Sequence, residues 1–214
     1  MTEKVKKLLV MDVDSTLIEE EVIDLLGDEA GVGEKIAQVT AAAMRGEIDF
    51  KEALAERVAL LAGLPESIFA RVYAHIHLTK GARELIDEAH KRGWKVGVVS
   101  GGFHEIVDII AHDVELDYVL ANRLALENGK LTGKTRGQII DKTVKLETIK
   151  KWAAENELDL SNVIALGDGA NDIPMIQAAG IGIAFCAKPM VQAAAPHVLN
   201  KRDLLKVLEI VDKQ

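Results

Sequence analysis

The stretch Leu8-Leu9-Val10-Met11-Asp12-Val13-Asp14-Ser15-Thr16 decides the fold. Four apolar residues end abruptly in two aspartates placed two positions apart. A run that is apolar on both faces suits a buried parallel strand, because helices cover both sides of such a sheet. Three more runs follow. Lys95 to Val99 ends at Ser100-Gly101-Gly102, Val163 to Leu166 ends at Gly167-Asp168-Gly169, and Ile181 to Phe185 lies between Gly180 and Cys186. Helical patterns separate them, over Ala82 to Arg92, His104 to His112, Val144 to Asn156 and Ile173 to Ala179. The alternation predicts an α/β fold with a mostly parallel sheet. In such sheets the ligand lies beyond the carboxyl ends of the strands. Asp12, Ser100 and Asp168 each follow an apolar run directly, so three strands would deliver polar groups to one edge.

One segment interrupts the alternation. From Leu17 to about Leu78 no strand pattern stands out, and helical stretches fill the interval around Glu21 to Leu26, Gly33 to Arg45, Phe50 to Leu61 and Pro65 to Tyr73. This predicts a small helical cap, residues 18–77, inserted after the first strand into a core made of residues 1–17 and 78–214. Glu127-Asn128-Gly129-Lys130 is a hairpin turn signal between Leu124-Ala125-Leu126 and Leu131-Thr132.

Composition narrows the function. The 214 residues are 49% hydrophobic but only 4% aromatic, so aliphatic side chains must fill the core. The net charge of -8 argues against a general nucleic-acid or anionic-membrane binder. A single cysteine, Cys186, allows no internal disulfide and suits a reducing compartment, with a buried, inert thiol expected. The charged stretch Met1-Thr2-Glu3-Lys4-Val5-Lys6-Lys7 is followed by too short an apolar run for a signal peptide, and no stretch approaches the roughly 20 apolar residues of a membrane span. A cytoplasmic protein, monomeric or homodimeric, is expected.

The chemistry follows from the strand-end residues. Asp12 and Asp14 face the same side of an extended chain and repel each other. A divalent cation with a preference for oxygen ligands, such as Mg²⁺, relieves that cost, and Asp168 could complete its site with Asp172 behind it. With the charge of a phosphate offset, an aspartate can act as a nucleophile and form an aspartyl-phosphate, while its neighbour moves the proton. Ser100-Gly101-Gly102 offers a hydroxyl and open backbone N–H groups to an anion. Lys145 could balance the transferring phosphoryl group. Asn171 suits a helix cap or a ligand contact. The six histidines form no metal spacing with Cys186, and no P-loop motif is present.

Taken together, Asp12-Val13-Asp14-Ser15-Thr16, Ser100-Gly101-Gly102-Phe103, Lys145 and Gly167-Asp168-Gly169-Ala170-Asn171-Asp172 resemble the four motifs of the haloacid dehalogenase superfamily, and within it the phosphoserine phosphatase family. The likeness runs from Leu8 to about Asp203 and takes in Ala121-Asn122-Arg123-Leu124 and Ala184-Phe185-Cys186-Ala187-Lys188-Pro189. It implies a Rossmann-like core with a helical cap. It further implies Mg²⁺-dependent hydrolysis of O-phospho-L-serine, the last step of serine biosynthesis. Asp12 would be the nucleophile and a metal ligand. Asp14 would be the acid/base and a metal ligand through its carbonyl. Asp168 would be the third ligand, with Asp172 in support. Ser100, Gly101, Lys145 and Asn171 would hold the phosphoryl group. In the cap, Arg57 would clamp the substrate carboxylate, Glu21 would take its ammonium, and Met44 and Phe50 would close over it.

Two departures from the family pattern, Val13 in place of Phe and Lys80-Gly81 in place of Pro-Gly, imply local repacking and an altered turn. Three other readings stay open at this level. The phosphoryl group could pass to another alcohol such as homoserine, the ester could be another small phosphomonoester, or the fold could serve binding alone.

Overall fold

The computed structural model describes residues 4–214. The expectation for the N-terminal stretch falls partly on residues 1–3, outside the described residues. Seven strands form one sheet in the order β4-β3-β2-β1-β5-β6-β7: β1 Leu8–Met11, β2 Lys95–Phe103, β3 Tyr118–Glu127, β4 Lys130–Arg136, β5 Val163–Gly167, β6 Ile181–Phe185 and β7 His197–Leu199. All neighbouring pairs are parallel except β3 with β4, whose turn places Asn128 and Gly129 at positive φ, as the Asn-Gly signal predicts. The mostly parallel α/β architecture expected from the strand and helix alternation is the one observed.

Period-two alternation divides the core. Leu9 and Met11 of β1 belong to one buried cluster with Val96, Ile164 and Ile183, while Leu8 and Val10 belong to the other with Val163 and Ala165. Helices α5 (Ala82–Lys91), α6 (His104–Asp113) and α10 (Val207–Val211) pack on the first face. Helices α7 (Lys142–Glu155), α8 (Ile173–Ala178) and α9 (Pro189–Ala194) pack on the second. The chain therefore leaves β1 on one face and its neighbour β5 on the other. A crevice opens where adjacent strands diverge in this way. Asp12 and Asp168 stand on its two sides.

Helices α1 (Val22–Glu29), α2 (Gly33–Met44), α3 (Phe50–Ala59) and α4 (Ile68–Tyr73) occupy the interval between β1 and α5. Where the chain enters and leaves this interval its backbone pairs with itself, through Glu19 N–H to His77 C=O at 3.0 Å and Thr79 N–H to Leu17 C=O at 2.9 Å. The segment before α4 also pairs with the β3–β4 hairpin. Gly63 donates to Leu131 C=O at 2.7 Å, Leu131 to Leu64 C=O at 2.8 Å, and Glu66 to Gly129 C=O at 2.9 Å. The start of the edge strand β4 is thus paired with the connection between α3 and α4. Among the described residues no helix is long and apolar enough to cross a membrane. Cys186 is half-buried rather than buried, at φ 45°, with burial the largest cause raising its thiol pKa.

Candidate active site

At the end of β1 the backbone N–H of Asp12 extends the ladder to Leu166 C=O of β5 at 3.0 Å, so the sheet itself fixes the position of its buried side chain. The chain then turns away from extended geometry. Val13 goes into the core, Asp14 keeps ψ 133°, and Ser15 adopts φ 56°. Burying Val13 points the side chain between the two aspartates away from them, so its difference from the usual Phe is a matter of packing.

Lys145 reaches this point from the first turn of α7. Asp141 caps that helix, accepting from Thr143 N–H and Val144 N–H at 3.0 Å each. The Lys145 side chain is fully buried, and its Nζ donates at 2.7 Å to both Asp12 Oδ1 and Asp172 Oδ1. Burial by itself lowers its pKa, but Asp12 and Asp172 more than offset that and raise it. A buried lysine held charged between two carboxylates keeps its proton across the working pH range.

Asp172 is fully buried and accepts from Gly169 N–H at 3.0 Å through Oδ2. Its carboxylate lies over the end of β5 so closely that a Cβ on Gly167 would sit 2.3 Å from Oδ2. That contact is the reason for glycine there. Burial, followed by the charge of Asp12, lifts the Asp172 carboxyl to about 7. The same causes, in the same order, with Glu21 added, lift Asp168 to about 6. Asp14 is raised well above the usual range by burial, then by Glu21 and Asp12. The crowding of carboxylates is the common feature.

Oxygens of Asp12, Asp168 and Asp172 come within 4.8 Å of one another. A hard divalent cation fits such an all-oxygen, mutually repelling donor set. The Asp14 side chain is not in that group and instead accepts from Val22 N–H at 3.4 Å. A metal role for Asp14 would therefore fall to its backbone carbonyl.

Opposite these residues, Ser100 is fully buried within β2, just past its last pairing with β1 at Val98, and its Oγ accepts from Gly102 N–H at 2.8 Å. The hydroxyl proton is then free to be donated. A Cβ built on Gly102 would meet the Asp14 carboxylate at 3.2 Å, so the glycine loop and the loop after β1 are in contact.

A cavity of about 750 Å³ opens above this floor. Asp12, Asp14, Asp168, Asn171 and Gly101 line it from the strand ends, and Glu21, Met44, Phe50 and Arg57 line it from α1 to α3. Glu21 is exposed to the cavity yet crowded by surrounding protein, which is the largest cause raising its pKa, and its Oε1 accepts from Ser15 Oγ at 2.6 Å. Arg57 is half-buried, donating through Nε to Ala53 C=O at 3.1 Å and through Nη1 to Thr40 Oγ1 at 3.4 Å. Among the described residues it makes no ion pair, so its fork is available to a carboxylate. Met44 is 67% and Phe50 37% exposed, unusual for large apolar side chains. A second cavity of about 500 Å³, between β7 and α10, contains none of the strand-end residues.

The structure thus brings Asp12, Asp14, Glu21, Met44, Phe50, Arg57, Gly101, Asp168 and Asn171 to one cavity, with Ser100, Lys145 and Asp172 buried behind it and bonded to one another or to residues that line it. Two contributors were missed. Lys188 lines the cavity after β6, with its charge acting on Asp168 and Glu21. Its signal was present, since β6 is the fourth apolar run read from the sequence and Lys188 follows it closely. Asn122 lies beneath the glycine loop, and no spacing rule points to it.

Residues 9–177 match the haloacid dehalogenase-like hydrolase family. The chain belongs to that family. The phosphoserine phosphatase of Lactococcus lactis subsp. lactis is 69% identical over 208 residues, spanning 97% of this hydrolase and 96% of that protein. The phosphoserine phosphatase of Streptococcus thermophilus is 63% identical over 210 residues, with 98% of each covered. Among solved structures, a phosphoserine phosphatase with an analogue of the phospho-aspartyl intermediate superposes with a TM-score of 0.90 at 43% identity, covering 97% of this hydrolase and 99% of that chain. A substrate-bound phosphoserine phosphatase complex superposes with a TM-score of 0.91, again at 43% identity and with the same coverage.

Proposed function

We propose that this hydrolase cleaves O-phospho-L-serine to L-serine and phosphate with Mg²⁺, through an aspartyl-phosphate on Asp12, as a cytoplasmic enzyme that supplies serine. The observation that carries the reading is one cavity in which buried Asp12, paired with Lys145, faces a carboxylate at Glu21 and an Arg57 that makes no ion pair among the described residues. Phosphoserine has three charged groups, and the cavity offers a complement to each. Arg57 suits the carboxylate and Glu21 the ammonium, while the floor suits the phosphate. Relatives that bear the name phosphoserine phosphatase over almost the whole chain support it.

Asp12 would attack phosphorus in line. Lys145 holds one of its oxygens, leaving the other for the reaction. As the Asp12–phosphorus bond forms, the bond to the serine oxygen breaks, and Asp14 gives that oxygen its proton. The raised pKa of Asp14 keeps the proton available. Asp14 then takes a proton from water, whose oxygen attacks phosphorus, and Asp12 departs as carboxylate with release of phosphate. Ser100 and the Gly101 loop donate to phosphoryl oxygens, with Asn171 beside them. Asp12, Asp168 and the Asp14 carbonyl would hold Mg²⁺, backed by Asp172, and the ion would offset the phosphate charge and align it. Residues 18–77 would act as the cap, with Met44 and Phe50 sealing the cavity from water.

A panel of phosphomonoesters assayed with Mg²⁺ tests the reading. Phosphoserine should exceed an ester without amino-acid groups in kcat/KM by at least about 100-fold. Equal turnover of the two would sink the substrate assignment, and new phosphate esters on addition of alcohols would assign a transferase.

A further inference from the structure

Strand β2 does not run evenly beside β3. Val99 pairs with Leu120, and the next aligned pair is Phe103 with Asn122. Over that interval β2 advances four residues and β3 two, so Ser100, Gly101 and Gly102 bulge out of the ladder. The bulge frees backbone groups to face a phosphate, and it also leaves the Gly101 carbonyl without a strand partner. Asn122 supplies one. Its side-chain Nδ2 donates to Gly101 C=O at 2.7 Å. Its Oδ1 accepts at 2.9 Å from Ile140 N–H, just ahead of the Asp141 cap of α7. Asn122 is 1% exposed. The amide's orientation is fixed by its partners, since a carbonyl can only accept and an N–H can only donate.

The Gly101 carbonyl and the Gly102 N–H belong to one peptide unit. Asn122 holds the carbonyl end and Ser100 Oγ holds the N–H end. That peptide is clamped from both sides, and the Ser100 hydroxyl proton is turned outward as a result. The other end of the same amide ties down the start of the helix that delivers Lys145.

We propose that Asn122 is a positioning residue for phosphoryl transfer: it fixes the Ser100–Gly102 loop and the start of α7, with Lys145, relative to each other. It touches no substrate and acts through Ser100, Gly101 and Lys145. The proposal rests on the phosphatase reading above only in that the bound group is a phosphate. Carboxylate and ammonium recognition do not enter it.

Asn122→Asp is the sharpest variant, because it keeps size and the acceptor toward Ile140 but turns the donor facing Gly101 into a second acceptor. Asn122→Ala, which loses both bonds, is the companion should the aspartate variant not fold. Each is made alone and with Ser100→Ala in the full chain. Affinity for inorganic phosphate is measured by calorimetry in Mg²⁺, kcat and KM with phosphoserine, and folding by circular dichroism. A folded Asn122→Asp should bind phosphate about 10- to 100-fold more weakly and lose a similar factor in kcat. In the Ser100→Ala background the same change should cost at least about threefold less than in wild type, because one of the groups it acts through is gone while Gly101 and Lys145 remain. A merely structural asparagine would give losses that multiply. Full multiplication, or a folded variant within about threefold of wild type in phosphate affinity and kcat, overturns the proposal. A wild type that binds phosphate yet hydrolyses no ester would sink the phosphatase reading instead, and phosphate affinity would still judge Asn122.

Discussion

The ammonium of Lys145 lies 2.7 Å from Asp12 Oδ1, with both side chains withdrawn from solvent. Lys145 is also the ion partner of Asp172. Removing it would leave two buried carboxylates facing each other. Lys145→Ala is therefore expected to destabilise the metal-free protein by about 3–5 kcal/mol, as read by urea denaturation at neutral pH. A loss below about 1 kcal/mol would mean that the pair contributes as little as an exposed one.

Asp12→Asn keeps the shape of the site and removes the nucleophile. Its kcat should fall by more than about a thousandfold. Acid-quenched wild type should carry phosphate on Asp12 by mass spectrometry, and the variant should carry none. Phosphate found on any other residue would reassign the nucleophile.

Without metal, stability should depend on pH in a particular direction. Asp168, lifted to about 6, and Asp172, to about 7, hold their protons more tightly in the folded state than when unfolded. Their contribution is then fully present below the unfolded carboxylate pKa and is lost as pH rises through 6 and 7. Asp117 and Asp141 are held below the usual range, so their opposite contribution disappears only in more acidic solution. The melting temperature of chelator-treated protein should fall between about pH 5 and pH 7.5, and Mg²⁺ should restore more at the upper end than the lower. A flat or rising profile without metal would count against the crowding of these carboxylates.

Arg57→Ala should raise KM for phosphoserine by about 10- to 100-fold, the range for a lost charge-assisted hydrogen bond. KM for an ester lacking a carboxylate should stay within about twofold, since the guanidinium has nothing to grip there. Equal effects on both substrates would place Arg57 at the phosphate instead.

Gly167→Ala tests the packing over β5. The added methyl would sit 2.3 Å from the Asp172 carboxylate, which Lys145 and Gly169 hold in place. A loss of about 1–3 kcal/mol is expected, together with weaker Mg²⁺ binding by calorimetry.

Much of this was readable before any coordinates. Buried parallel strands announce themselves because they are apolar on both faces, so β1, β5 and β6 appear as uninterrupted runs. Polar residues directly after such runs have one place to go, which is why Asp12, Ser100 and Asp168 could be brought to a common edge. Elements without that pattern were harder. β2 continues past Val99 to Phe103 through a bulge, and β3 begins at Tyr118 with half-buried residues. β7 is three residues long and α9 and α10 are short, so none shows a full period. In the site, Lys145 was visible as a residue type but not as a buried one, because burial of a charge is decided by partners distant in sequence. Asn122 lies in a segment that shares the family likeness, but no spacing rule marks it, since the carbonyl it bonds is set free by a bulge that only the fold reveals.

The backbone bonds between 63–66 and 129–131 have a consequence for which molecules gain entry. The inserted helices are fastened twice, once where the chain enters and leaves at 17–19 and 77–79, and again along the hairpin. A wide swing of the whole insertion would break both sets of bonds, whereas the corner between α2 and α3, with Met44 and Phe50, carries neither. Admission through that corner suits a free amino acid. A phosphoserine embedded in a polypeptide, with chain extending from both ends, would need a far larger doorway, and its amide-linked ends would offer Glu21 and Arg57 no charge to hold.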